Sequence, residues 1–140
     1  MKKIIGLVLV LFCFAWLEFP IRASTDLIGF QTPSKNIHCA GFSDSSGTSL
    51  RCDILKNNAP IPARPKDCEL DYGSAFEMTL KGKSLRLCYG DTVANNYAVL
   101  QYGTTWKWVG FICSSSTAGL RCTNQSGHGW QISKNAQRLF

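Results

Sequence analysis

The chain has 140 residues, 45% hydrophobic and 17% charged, with a formal net charge of +6, a length that suits one domain. Its lysines and arginines are scattered rather than gathered in runs, so nucleic-acid binding ranks last among the readings considered. The small positive excess reads first as a solubility feature and second as a weak general attraction to anionic envelope polymers.

The first element is a secretory signal. Met1-Lys2-Lys3 is a positive start, Ile4 to Leu17 is apolar, Glu18-Phe19-Pro20 breaks the run, and Ala23 is a small residue suited to cleavage. The apolar run falls short of the roughly 20 residues that a spanning helix needs. An uncleaved anchor is the alternative. Lipid attachment at Cys13 fits less well, because Phe12 stands where a small residue is expected. Cleavage after Ala23 leaves residues 24–140 as one mildly basic domain with no membrane span, secreted or periplasmic.

No window of the remaining chain keeps the 3.6-residue apolar period of a helix, whereas short β-favouring runs recur between Gly, Ser, Asn and Pro clusters. Strands are expected at Leu27–Phe30, Asn36–Ala40, Ser49–Ile54, Phe76–Leu80, Ser84–Cys88, Ala98–Tyr102, Trp106–Cys113, Leu120–Thr123 and Trp130–Ile132. Asn57–Pro65 carries three prolines and reads as an exposed crossing, and Lys81-Gly82-Lys83 as a hairpin turn. The fold expected is all-β, a small sandwich or open barrel of short antiparallel strands.

Six cysteines follow the signal: Cys39, Cys52, Cys68, Cys88, Cys113 and Cys122. An even number in a short exported chain reads as a disulfide framework, each bridge worth about 2–4 kcal/mol to a domain with a limited core. The tetrads Ser49-Leu50-Arg51-Cys52 and Gly119-Leu120-Arg121-Cys122 are nearly the same, and Ser84-Leu85-Arg86-Leu87-Cys88 is a looser copy. The first and last follow another cysteine across a loop of small polar residues, like clipped hairpins. Six cysteines leave many connectivities open. The preferred set is Cys39–Cys52, Cys113–Cys122 and, by remainder, Cys68–Cys88. In this picture each repeated leucine faces the core and its arginine lies on the solvent side.

Several segments together resemble a known family. They include Phe30-Gln31-Thr32-Pro33-Ser34-Lys35-Asn36-Ile37-His38-Cys39, Leu50-Arg51-Cys52-Asp53, Cys88-Tyr89-Gly90-Asp91-Thr92, Leu100-Gln101-Tyr102-Gly103-Thr104-Thr105-Trp106, Gly119-Leu120-Arg121-Cys122-Thr123-Asn124 and Gly127-His128-Gly129-Trp130. Their order is similar to that in a family of small exported bacterial proteins classed as a domain of unknown function, with Trp130 where the pattern has Phe. The resemblance spans Phe30 to the C-terminus. It implies an exported bacterial domain and no particular activity.

Gly127-His128-Gly129-Trp130 is the most site-like segment: two glycines would let the imidazole approach a ligand, with Trp130 as a stacking wall. The plainer reading is a glycine turn entering a strand with Trp130 in the core. Asp91 could pair with His128 for acid–base chemistry, but an Asx-turn also explains it, and neither a nucleophile nor a metal set is evident. His38 and His128 are the only histidines, and they lack zinc-site spacing; the cysteines form no C-x-x-C pair, so no metal or other cofactor is expected. Trp106 and Trp108, two apart on a strand, share a face that is a platform for sugar or peptide if exposed and core if buried, core being favoured. Asn124-Gln125-Ser126 fits a glycosylation acceptor but is disregarded in a bacterial chain.

Of the function classes, a non-enzymatic binding or structural module ranks first, its partner an envelope glycan or a protein, with Trp106, Trp108, His128 and Trp130 as candidate contacts. A small hydrolase using His128 and Asp91 ranks second.

Overall fold

The structure, a computed structural model, describes residues 28–140. The signal segment, its cleavage point after Ala23 and the first residue of the Leu27–Phe30 strand lie outside them. Among the described residues there is no helix, and so none long and apolar enough to cross a membrane.

Ten strands form two antiparallel sheets. The first contains β1 (Gly29–Gln31), β2 (Ile37–Asp44), β3 (Gly47–Ile54), β4 (Asp71–Thr79) and β5 (Leu85–Tyr89). The second contains β6 (Thr105–Trp108), β7 (Phe111–Ser116), β8 (Gly119–Thr123), β9 (Gly129–Ile132) and β10 (Gln137–Leu139). In both, spatial order follows chain order, so each sheet is a meander and the pair forms an open sandwich. β7 shows why these runs become strands. Phe111, Cys113 and Ser115 are buried and alternate with exposed Ile112, Ser114 and Ser116, the period-2 pattern of a strand with one face on a core.

All three bridges have the preferred pairing. Cys39–Cys52 joins opposed residues of β2 and β3, and Cys113–Cys122 opposed residues of β7 and β8, each with Cα atoms 4.1 Å apart. Cys68–Cys88 ties the long β3–β4 connection to β5. Leu50 and Leu120 sit two residues before their cysteines, so they share the inward face and are fully buried. The looser copy behaves differently. Here Arg86 stands opposite buried Phe76, so Leu85 beside it turns outward, 59% exposed. Arg86 takes the inner side instead, its guanidinium 4.8 Å from the centre of the Phe76 ring, and burial lowers its pKa from the ordinary arginine value.

Three further elements depart from expectation. Trp106–Cys113 is a hairpin rather than one strand: Val109 and Gly110, φ 44° and 97°, turn the chain so that Trp108 pairs Phe111. Two successive positive φ values suit the twist of a tight hairpin; valine at the first hides the turn, because a β-branched residue rarely adopts it. Ala98–Tyr102 forms no strand. It touches β1 through a single parallel bridge, with Gln31 N donating to Ala98 O and Leu100 N to Gln31 O. β10 is too short and polar to announce itself.

One core joins both sheets, with Phe30, Leu50, Phe76 and Met78 of the first meeting Phe111, Leu120, Trp130 and Ile132 of the second. Trp130 is fully buried, its ring 6.2 Å from that of Phe76, and its indole N–H has no hydrogen-bond partner among the described residues. Trp130→Phe loses volume but also removes that unpaired donor, costs of opposite sign and about 1–3 kcal/mol each. Chemical denaturation followed by circular dichroism should therefore place Trp130→Phe within about 1 kcal/mol of the parent and Trp130→Ala about 3–5 kcal/mol below it.

Candidate functional site

The Gly127-His128-Gly129-Trp130 segment is the tight turn into β9. Asn124 organises it from a buried position. Its Oδ1 accepts the amides of Ser126 and His128, both at 3.0 Å, while its Nδ2 donates across to Thr79 O and Gly82 O of the first sheet at 2.8 and 2.7 Å. Gly127 has φ 78°, and a Cβ on Gly129 would lie 1.9 Å from Cys122 O, so both glycines have backbone reasons to be there. Trp130, considered above as a stacking wall, keeps no face for a ligand because the core covers it.

Asp91 belongs to another part of the fold. After β5 the chain crosses the outer face of the first sheet, where Arg51 on β3 holds it: Nε and Nη2 donate to Asp53, and Nη1 to Asp91 at 2.9 Å. Asp53 also accepts the amide of Val93. Burial works against the charge on Arg51, yet its bonds to Asp53 and Asp91 outweigh that and raise its pKa above the ordinary arginine value. The Asp91 carboxylate, 84% exposed, thus serves an ion pair in place of the expected Asx-turn. Asp91 and His128 share no hydrogen bond, ion pair or cleft. Nor do the described residues bring three His, Cys, Asp or Glu side chains together as a metal site.

Trp106 and Trp108 share a face, their ring centres 6.1 Å apart. That face points inward and is half-buried. Trp106 packs on Phe30 at 5.0 Å and Trp108 stacks with Phe111 at 6.0 Å. A Cβ on Gly41 would reach the Trp108 ring at 2.3 Å, so β2 needs glycine there to let the indole lie against it. The pair closes one flank of the sandwich.

The structure reveals two recesses. One, of about 610 Å³, lies on the outer face of the first sheet, and neighbouring groups satisfy its charges. Arg51 is paired as described, Ser49 Oγ donates to Glu77, and the hydroxyl and amide of Ser46 hold the Asp44 carboxyl below its ordinary pKa. The other, of about 570 Å³, opens at the end of the sandwich opposite the Asn124 turn, between loops of both sheets. Lys35 from the β1–β2 turn, Lys56 after β3 and Lys134 from the β9–β10 turn line it together with exposed Tyr102 and Leu55, and no carboxylate does.

Hydrogen bonds fix the backbone at all three lysines. Buried His38 contacts Lys35 O through Nε2 at 3.0 Å and Asn95 O through Nδ1 at 3.0 Å. Asn36 clamps Lys56 from both sides, Oδ1 accepting its amide at 2.7 Å and Nδ2 donating to its carbonyl at 3.1 Å. Lys134 O accepts the amide of Asn58 at 2.7 Å. Lys35 itself holds φ 55°, a left-handed conformation that costs a side-chain-bearing residue roughly 1–2 kcal/mol and glycine almost nothing. The three lysines are far apart in the chain, so no local pattern brings them together. The one local signal for the site is the Pro-containing Thr32-Pro33-Ser34-Lys35-Asn36 segment, which the structure forms as the β1–β2 turn.

Fold and site define a disulfide-stapled antiparallel β-sandwich with a loop-built basic cleft at one end. The chain belongs to the DUF6636 family, a family of unknown function whose model matches residues 10–140. No curated protein and no solved structure matches it.

Three substitutions test these assignments. Lys35→Gly should leave the melting temperature unchanged or raise it, by relief of about 1 kcal/mol of backbone strain. Gly129→Ala should lower it severely while His128→Ala stays within about 0.5 kcal/mol of the parent, as for an ordinary surface change; thermal melts read all three.

Proposed function

We propose that this protein is an exported, non-enzymatic binding module of the bacterial periplasm or cell exterior, formed by residues 24–140 after removal of Met1–Ala23, and that it binds through the end cleft. The observation that carries this reading is the cleft itself: side chains from both sheets converge there on a backbone held by His38, Asn36 and Asn58. Loops held in place before binding lose little freedom when a ligand arrives, which favours affinity. Three disulfides fit an oxidising compartment. They also occupy every cysteine of the described residues, leaving no thiolate nucleophile there. A hydrolase built on His128 and Asp91 has less support, since the two lie on different parts of the molecule.

Intact mass after thiol alkylation without reductant should start at Ser24 and show no alkylated cysteine. A mass retaining Met1–Ala23 would overturn cleavage and leave the uncleaved-anchor reading. For binding, isolated envelope polysaccharide added to ¹⁵N-labelled mature protein should shift amides of Thr32, of residues 34–36, 116–119 and 133–135. Shifts confined to other surfaces, or depolymerisation of the polysaccharide, would overturn the binding-module reading.

A further inference from the structure

The cleft differs from the rest of the surface in the chemistry of its walls. The lysines are otherwise dispersed, yet Lys35, Lys56 and Lys134, separated by at least a strand in sequence, arrive at one concavity. Among the described residues none of the three is ion-paired, and the cleft has no acidic lining to neutralise them. Positive groups gathered in a recess of low-dielectric walls focus their field on whatever enters. In the second recess, by contrast, Arg51 is spent on Asp53 and Asp91. The conformation of Lys35 adds a second indication. Glycine would make that turn without strain, so a lysine there is a choice of side chain over backbone ease.

The remaining walls narrow the ligand. Tyr102 is 45% exposed and Leu55 52% exposed, two apolar surfaces within a polar rim. Ser34, Ser116, Thr117 and Asn135 supply hydroxyl and amide groups beside them. A pyranose ring has this double character, with C–H faces that lie on an aromatic ring and hydroxyls that exchange hydrogen bonds with short polar side chains. Adding a carboxylate or phosphate supplies the partner that the ammonium groups lack. A cleft of about 570 Å³ falls in the size range of small-ligand sites.

We propose that the end cleft binds an anionic saccharide, with Lys35, Lys56 and Lys134 taking its carboxylate or phosphate and Tyr102 carrying a sugar ring. The proposal rests on the binding-module reading above and adds the ligand class to it.

Isothermal titration and amide shift mapping of the mature protein would use three probes: trigalacturonate, its neutral methyl ester, and mannose 6-phosphate. The neutral ester should bind at least about tenfold more weakly than the better acidic probe. Whichever acidic probe binds more tightly identifies carboxylate or phosphate as the preferred anion. The variant K35Q/K56Q/K134Q should weaken acidic-probe binding by about tenfold or more, while K81Q/K83Q/K107Q, with the same charge change elsewhere, should stay within about twofold. Raising NaCl from about 50 to about 300 mM should weaken binding to the parent and affect the cleft triple variant much less.

Ala118→Trp, at an exposed turn position on the cleft wall, tests the location independently of charge by filling the space. If it abolishes binding of all probes while acidic and neutral probes bind alike, the cleft stands as the site and the anionic class falls. If it leaves acidic-probe binding intact, the location falls and the binding-module reading falls with it. Equal losses in the two triple variants, or no binding of either acidic probe, would overturn the anionic-saccharide proposal.

Discussion

The fold depends on two cross-strand disulfides buried in one core. Cys39–Cys52 and Cys113–Cys122 join directly opposed residues towards the open ends of the β2–β3 and β7–β8 hairpins, one in each sheet. A bridge across opposed residues fixes register, and register decides which side chains face inward, since a slip of one residue would turn a whole strand over. With register held, Leu50 and Leu120 point at the opposite sheet, Cys52 pairs across to Phe76, and Cys122 pairs across to Trp130. Those two aromatics then meet at the sheet interface. A domain of this size with no helix has few other ways to hold ten short strands in place.

Around this stapled centre the two ends of the sandwich are finished differently. At one end Asn124 binds its own turn and the first sheet at once, and Ser84 Oγ donates to Gly129 O beside it, so the sheets are tied together. At the other end His38 and Asn36 hold neighbouring segments of the first sheet, and the amide of Asn58 donates across to Lys134 O of the second. His38 holds the β1–β2 turn, and Asn36 holds the chain leaving β3. These contacts position the loops, and the space left between them is the cleft. Buried amides and imidazoles with satisfied hydrogen bonds give loops a definite position where regular structure stops.

The flanks are closed by other means. The chain from β5 to β6 runs across the outer face of the first sheet, held by Arg51, Asp53 and Asp91, and then along β1, so that edge is covered. Trp106 and Trp108 lie over Phe30 and Gly41, where the second sheet overhangs the first. Residues that looked chemical in isolation, Asp91 and the two tryptophans among them, are used to shut the sandwich.

By itself the sequence determined the β class and most strand positions, and it favoured the bridge pairing that the structure shows. These are local properties: alternation, turn residues, and two cysteines flanking each of two short loops. It also implied inward leucines in the repeated tetrads, as found at Leu50 and Leu120. It misled where a local cue was weak or reversed, as at Val109, at β10 and at Leu85, which points outward because its neighbour Arg86 stands opposite buried Phe76. What only the tertiary structure decided was the site. Asn36, His38 and Asn124 read as ordinary polar residues until the fold shows the backbone groups they hold, and three lysines dispersed along the chain became one basic cleft. Such proximity arises from packing two sheets face to face, and no local pattern encodes it.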